Sequence, residues 1–211
     1  MMVKHNGLSR FFQNVDNDFS FYMPKLFMLL IGCTPSGRNI EQHDIFFGIA
    51  NSIKDLIPDL LSFWPEAKGE LHIDAWREIT NVNGFSVQVV KESGVTNATQ
   101  LFFINLGGYK KNEFEEFHYK MVVAAPDKGE AVRHSKLTAF YKHTGFNGAP
   151  SHIDDKYGVD VDDIFDIRDI LTPATKKQYS VLVQPAPPEQ QEDEMHLGYF
   201  KLELVDKWDP R

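Results

Sequence analysis

The order of apolar and polar residues along the chain predicts the same series of structural elements twice. Each series opens with an apolar run that a glycine ends, at residues 26–31 and again at 101–106, which indicates a buried strand and a turn. A strand with period-two alternation comes next, followed by a helix whose apolar residues recur every three or four positions, as in residues 53–64. Two more strands, 72–79 and 85–90, complete the first series as a ββαββ unit.

Individual residues recur at a nearly constant spacing, which indicates an internal duplication. Four matches are offset by 75 positions: Leu26 with Leu101, Gly32 with Gly107, Glu41 with Glu116, and His43 with His118. Further on, His72-Ile73-Asp74 matches His152-Ile153-Asp154 at an offset of 80. The second copy therefore has additional residues between its helix and its third strand, which we place at 151–157.

These matches divide the chain into four parts and predict an α+β fold. The parts are an N-terminal extension at 1–22, a first ββαββ unit at 23–92, a second ββαββ unit at 93–170, and a C-terminal extension at 171–211. The last part contains a predicted hairpin of residues 178–184 and 197–205, joined by a Pro-rich, acidic segment that we expect to be mobile. A ββαββ unit with one helix across a mixed sheet resembles the β-grasp, or ubiquitin-like, roll.

Several stretches of the chain are specific enough to indicate a family. They read LFMLLIGCTPSGRNIEQHDIFFGI, HIDAWREI, LFFINLGGY, EFHYKMVVA and FYKHTGFNGAPSHIDDKYGVDVDDI, and they lie within roughly residues 24–170. On these stretches the chain resembles the bacterial family known only as domain of unknown function 1543. The resemblance implies one or two copies of that domain per protein, in agreement with the duplication, and it implies no activity, substrate or catalytic residue.

Composition and charge narrow the classes of partner and location. The chain has 30 acidic and 22 basic residues, a net charge of −8, and its basic residues are scattered. Because phosphate backbones bind to clustered positive charge, we expect no nucleic-acid partner. No apolar window is long enough to cross a membrane, and residues 1–22 lack the apolar core of a signal peptide. Cys33 is the only cysteine, which excludes an internal disulfide and fits a reducing cytoplasm.

Polar residues that can bind a metal occur in both copies. They are Glu41, His43, His72 and Asp74 in the first copy and Glu116, His118, His152 and Asp154 in the second. Each copy has two pairs spaced i, i+2, and this spacing puts both side chains of a pair on one face of a strand. If the two strands adjoin, the pairs meet, and two imidazoles with two carboxylates suit a divalent transition metal.

We expect these residues to be structural, with each histidine half-buried on its strand and paired with a carboxylate, because such clusters often serve the fold. Positions retained in both halves of a duplication are usually determinants of the fold. A metal site is the alternative, for which the second copy is preferred, with His118, His152 and Asp154 as ligands. The sequence favours no cofactor.

Two other motifs are weaker candidates for chemistry. Residues 32–38 resemble a phosphate-binding loop, but Arg38 and Asn39 replace the lysine and hydroxyl of such a loop and no helix is predicted to follow. Cys33 would be a nucleophile if His43 or His72 acted as its base. We expect it to be a packed residue instead, because a lone cysteine just past a buried strand usually is.

The sequence supports three hypotheses of function. The first is a bacterial, cytoplasmic binding or interaction module with an unidentified protein or small-molecule partner, to which we assign no enzymatic activity. The second is a metal-dependent enzyme that uses one Glu/His/His/Asp cluster to activate water. The third is a sensor that binds a small ligand between the two copies. Self-association is compatible with all three.

Overall fold

The computed structural model describes residues 23–92, 94–109, 112–137, 159–187 and 190–209. Contacts divide the chain into two compact units: the first unit combines the residues up to Glu78 with those from Glu194 onward, and the second unit is Ile79–Asp193. Helices in these ranges are few and short, and all strand pairings are antiparallel, which agrees with the expected α+β class. None of the described helices has the length and apolar character needed to cross a lipid bilayer.

Ten strands occur in the described ranges: β1 Lys25–Cys33, β2 Gln42–Ala50, β3 His72–Glu78, β4 Asn81–Val82, β5 Phe85–Val90, β6 Gln100–Tyr109, β7 Glu116–Ala125, β8 Val159–Asp166, β9 Ser180–Pro185 and β10 His196–Lys201. The α-helices of the same ranges are α1 Ile57–Phe63, α2 Lys128–Ser135, α3 Ile167–Ile170, α4 Pro173–Gln178 and α5 Val205–Trp208. The strand orders are β10-β3-β1-β2 in the first unit, and β4-β5-β9 and β7-β6-β8 in the second.

The first unit has a four-stranded sheet with its core on one face. Alternate residues of the central strand β1, which include Leu29, Ile31 and Cys33, pack with Leu60 of α1 in one apolar cluster. Pro58 lies in the first turn of α1, where a missing N–H costs little, and a 3₁₀ turn precedes the helix. The opposite face of β1 is therefore the face on which polar side chains from the neighbouring strands can meet.

The second unit contains a sheet with the same arrangement around its central strand. β6 lies between β7 and β8 as β1 lies between β2 and β3. The register shifts at corresponding places, between Leu30 and Ile31 in β1 and between Asn105 and Leu106 in β6. Such a shift marks a β-bulge, in which one strand has an extra residue.

The fourth strand predicted for the first copy lies in the second unit instead. β5 pairs with β4 and β9 rather than with β3, so the units divide after Glu78 and not after residue 92. The first unit is completed by β10, which pairs with β3. Apolar alternation shows which face of a strand is buried but not which strand lies beside it, and the ββαββ prediction differs from the structure for this reason.

The hairpin predicted near the C-terminus does not form. β9 and β10, which cover most of its two arms, pair with β5 and β3 and lie in different units. β10 also ends at Lys201, because the chain continues as a 3₁₀ turn and then as α5. Sequence alternation in the second arm therefore continued past the true end of the strand.

The acidic segment before β10 is tied to the second unit, whereas its composition predicts a mobile loop. The Asp193 carboxylate accepts hydrogen bonds from the N–H groups of Thr80, at 3.0 and 3.1 Å, and of Asn81, at 3.2 Å. The Asn81 amide donates to the carbonyl oxygens of Gln190 and Gln191. These bonds satisfy backbone donors beside β4, so the segment has a structural role. The predicted extension at 1–22 and the predicted strand at 151–157 lie outside the described residues.

A buried carboxylate joins the C-terminal helix to the core of the first unit. Asp209 follows α5 and accepts the N–H of Ile53 at 2.9 Å. The residue is 2 % exposed, and this burial raises the pKa of Asp209 even though the hydrogen bond from Ile53 acts to lower it.

We predict that Phe27→Ala destabilises the protein by roughly 3–5 kcal/mol, because its side chain is fully buried in β1 and its loss leaves a cavity. Phe114→Ala is the matched control, since Phe114 is fully exposed, and it should change the free energy of unfolding by less than about 0.5 kcal/mol. Chemical denaturation of both variants measures the difference. Equal effects would show that β1 does not carry the core.

We predict that Asp209→Asn is at least as stable as the native protein at neutral pH and that this advantage shrinks in acid. Because folding raises the pKa of Asp209, the folded state favours the protonated carboxyl, and the stability it contributes is lost as the pH rises from about 4. Asparagine keeps an oxygen for the Ile53 N–H. Denaturation of both proteins at several pH values between about 4 and 7 tests this. A difference independent of pH would refute the assignment.

Candidate metal centre

Four polar side chains of the first unit converge on the face of the sheet opposite the core helix. Glu41 directly precedes β2, His43 is on β2, and His72 and Asp74 are on β3. His72 Nε2 lies 3.0 Å from Glu41 Oε1 and 3.3 Å from Asp74 Oδ1. His43 Nε2 lies 3.1 Å from Asp74 Oδ2 and 3.5 Å from Glu41 Oε2. These four residues, hereafter the polar cluster, form a ring in which imidazoles and carboxylates alternate.

A glycine on the central strand allows the two pairs to meet. β2 and β3 are not neighbours, because β1 lies between them, and Gly32 of β1 faces His43 on one side and His72 on the other. A β-carbon at Gly32 would lie 2.7 Å from His72 Nε2 and 2.9 Å from Asp74 Oδ2. Any other residue there would fill the space into which the polar cluster points.

A β-bulge in β3 lies at Asp74, within the polar cluster. Ile73 pairs with Ile31 and Ala75 pairs with Leu30, so Asp74 is the extra residue between two consecutive pairs. Bulges turn a side chain out of the regular alternation and are frequent beside functional sites. His72 and Asp74 are two residues apart on β3, so they share a face by regular alternation, and both side chains lie over Gly32.

The contacts within the polar cluster are close but are not all hydrogen bonds. The side chain of His72 is 6 % exposed, and both its Nε2 atom and Asp74 Oδ2 are buried without a hydrogen-bond partner. No hydrogen bond of favourable direction therefore joins His72 Nε2 to either carboxylate. An uncompensated buried polar atom costs about 1–3 kcal/mol. Among the described residues, these two atoms of the polar cluster therefore lack a compensating hydrogen bond.

The spacing of the donor atoms is close to that between the ligands of a metal ion. The ligand atoms of Glu41, His43 and His72 lie within 4.8 Å of one another, and Asp74 is outside that set. Ligands about 2.0–2.2 Å from a zinc ion stand about 3.3 Å apart in a tetrahedron. The two contacts that join Glu41 to the imidazoles, at 3.0 and 3.5 Å, lie on either side of this value.

The polar cluster is open on one side and covered on the other. Glu41 and His43 have side chains that are 42 % and 40 % exposed, whereas His72 is buried beneath Tyr199 of β10, with ring centroids 4.3 Å apart. Tyr199 lies at a second register shift, between Leu197 and Phe200, where β10 passes the bulge of β3. Solvent therefore reaches the donor atoms from the side of Glu41 and His43.

Cys33 does not belong to the polar cluster. Its side chain belongs to the apolar cluster on the helix face of the sheet, because successive residues of β1 point to opposite faces and Gly32 faces the polar cluster. Burial raises the pKa of the Cys33 thiol, and the charges of Glu41 and Glu70 raise it further. A protonated, buried thiol is neither a nucleophile nor a metal ligand.

The second unit differs from the first at the positions that correspond to the polar cluster. Glu116 and His118 are exposed on β7, and His118 faces Gly107 as His43 faces Gly32. The residue that pairs with Gly107 from β8 is Asp160, so the register position of His72 belongs to Asp160. The sequence match of His72 to His152 is thus displaced by eight residues from the backbone register. His152 and Asp154 themselves lie outside the described residues.

Sequence reasoning missed two members of this site. The apolar run predicts that Gly32 ends a strand and starts a turn, whereas Gly32 lies within β1. Tyr199 carried no motif, and its place beside His72 depends on a pairing of β10 with β3 that links residues far apart in the chain. The signal for Gly32 in the sequence is that Gly32 and His43 recur together as Gly107 and His118.

Comparison with known proteins gives a partial match. Residues 38–89 match the model of a family described as Domain of Unknown Function (DUF1543), a span that contains the whole polar cluster but not Gly32. No curated protein matches the chain at a significant level. The structure is similar to the crystal structure of a protein Il1583 from Idiomarina loihiensis, with 21% sequence identity and a TM-score of 0.55, over 85% of this chain and 98% of that chain. At this identity the similarity shows a shared fold alone.

We predict that Gly32→Ala separates the polar cluster, because its β-carbon would come within 3 Å of His72 Nε2 and Asp74 Oδ2. Any divalent metal affinity of the protein should fall at least tenfold, a loss of about 1.4 kcal/mol in binding free energy. Gly129→Ala, at the start of α2, is the matched control and should leave the affinity unchanged. Titration calorimetry measures both variants, and unchanged affinity in Gly32→Ala would mean that the space over Gly32 is not the binding site.

Proposed function

We propose that the first unit binds a divalent transition-metal ion through Glu41, His43 and His72, with Asp74 beside the ion. The observation that carries this proposal is the pair of buried, unpartnered atoms, His72 Nε2 and Asp74 Oδ2, over a glycine that leaves the space between them open. It favours the metal-binding hypothesis over a purely structural cluster. A structural cluster of ion pairs would be expected to satisfy its most buried donor.

The donor set indicates the kind of ion. Two imidazole nitrogens and a carboxylate suit zinc, iron, manganese, cobalt or nickel, whereas soft ions such as copper(I) prefer sulfur ligands. Cys33 is on the opposite face of the sheet, so the site offers no thiolate. The two carboxylates of the polar cluster balance the charge of a divalent ion.

We infer that the chain is duplicated and that its two copies have diverged at this site. The inference is supported by the common strand order around β1 and β6, by their corresponding register shifts, and by glycines that face a histidine in both. At the register position of His72, the described residues of the second unit have Asp160 instead of a histidine. Metal binding is therefore proposed for the first unit, and not for the second copy that the sequence favoured.

We further propose a cytoplasmic, bacterial protein without a nucleic-acid partner. The support is the net charge of −8, the scattered basic residues, the single buried cysteine and the partial family match.

We predict that tag-free protein dialysed against micromolar zinc, cobalt or manganese retains about one equivalent of at least one of these ions, the number expected for a single site. His43→Ala and His72→Ala should each weaken binding by at least roughly a hundredfold, because each removes a direct ligand. At a metal concentration a hundred times the dissociation constant, the native protein should gain about 5–10 °C in melting temperature.

Two control variants separate this site from other histidines. His134→Ala alters an exposed histidine of α2, and His118→Ala alters the histidine that faces Gly107. Both should retain metal and its stabilising effect. Absence of bound metal in the native protein, or equal loss in all four variants, would refute the proposal and return the polar cluster to a structural role.

A further inference from the structure

The proposed metal site of the first unit resembles catalytic metal sites more than structural ones. Structural zinc sites are closed by four protein ligands, whereas catalytic sites use three and leave a position for an external ligand. Here three donors, Glu41, His43 and His72, lie within mutual ligand distance, and Asp74 is outside that set. Glu41 and His43 are also two-fifths exposed, so the unfilled position faces solvent.

An aromatic ring stands beside that position. Tyr199 stacks on the His72 imidazole at a centroid distance of 4.3 Å and an interplanar angle of 32°, and 65 % of the residue remains exposed. One face of its ring is used by His72, and a large part of the remaining surface is free to contact another molecule. Leu197 lies two residues before Tyr199 in β10, where it pairs with Ala75 of β3. It is 73 % exposed.

We propose that the first unit binds small molecules that carry an oxygen-anion group for the metal and an aromatic or apolar group for Tyr199. The oxygen anion, such as a carboxylate or a hydroxamate, takes the position that the protein leaves open. Hard oxygen donors match the nitrogen and oxygen ligands already present. The apolar group gains the contact with Tyr199, since stacking on an exposed ring contributes about 0.5–1.5 kcal/mol. This inference rests on the metal proposed above.

Cobalt-loaded, tag-free full-length protein tests the inference without a known substrate. Cobalt(II) has visible absorption that changes when a ligand joins its coordination shell. Titration with acetohydroxamate should change the spectrum in a saturable way, and benzohydroxamate should do so with an affinity about three- to tenfold higher. The two probes differ in the group that Tyr199 is proposed to contact.

Two variants of Tyr199 test whether its ring causes the preference for benzohydroxamate over acetohydroxamate. Tyr199→Ala should bring the two affinities within twofold of each other while cobalt remains bound, and Tyr199→Phe, which keeps the ring, should retain the native preference. If cobalt, like zinc and manganese, does not bind to the native protein, the proposed metal function itself fails. If cobalt binds and neither hydroxamate changes its spectrum, the centre is closed and this inference is wrong, whereas the metal site stands. A preference that survives Tyr199→Ala would overturn the role of the ring.

Discussion

The absence of a side chain at Gly32 is the constraint on which the polar cluster depends. Its two pairs come from β2 and β3, which are separated by the full width of β1. Neighbouring strands are about 4.8 Å apart, so side chains two strands away meet only where the strand between them offers no obstacle. A β-carbon at Gly32 would occupy the space where His72 Nε2 and Asp74 Oδ2 point.

Burial determines what the polar cluster can do once it is assembled. His72 is covered by Tyr199 and has lost its access to water, yet Nε2 has no hydrogen-bond partner. Leaving such an atom uncompensated costs about 1–3 kcal/mol. The metal ion that we propose would offset that cost at about 2.0–2.2 Å, and the two neighbouring carboxylates would supply the opposite charge.

The sequence predicted the composition of this site better than its construction. Period-two alternation predicts that Glu41 with His43, and His72 with Asp74, share a face, since side-chain direction in a strand is a local property. It did not predict that β1 lies between the pairs, that Asp74 is a bulge residue, or that β10 brings Tyr199 onto His72. These facts depend on strand pairing across long sequence separations, which local patterns do not encode.

The same distinction between residue identity and strand pairing applies to the second unit. The sequence His-Ile-Asp recurs at 152–154, and this recurrence predicts that His152 takes the position of His72. Backbone pairing with Gly107 gives that position to Asp160 instead. Residue identity and structural register diverged where the copies differ in length, and only pairing with the central strand reveals which residue faces the glycine.

The central claim is that one metal ion sits over Gly32, and anomalous diffraction from a crystal of the protein grown with zinc measures this directly. A peak about 2.0–2.2 Å from His43 Nε2, His72 Nε2 and a carboxylate oxygen of Glu41 is the predicted result. The contradicting result is a zinc-free map in which the two histidines donate hydrogen bonds directly to Glu41 and Asp74.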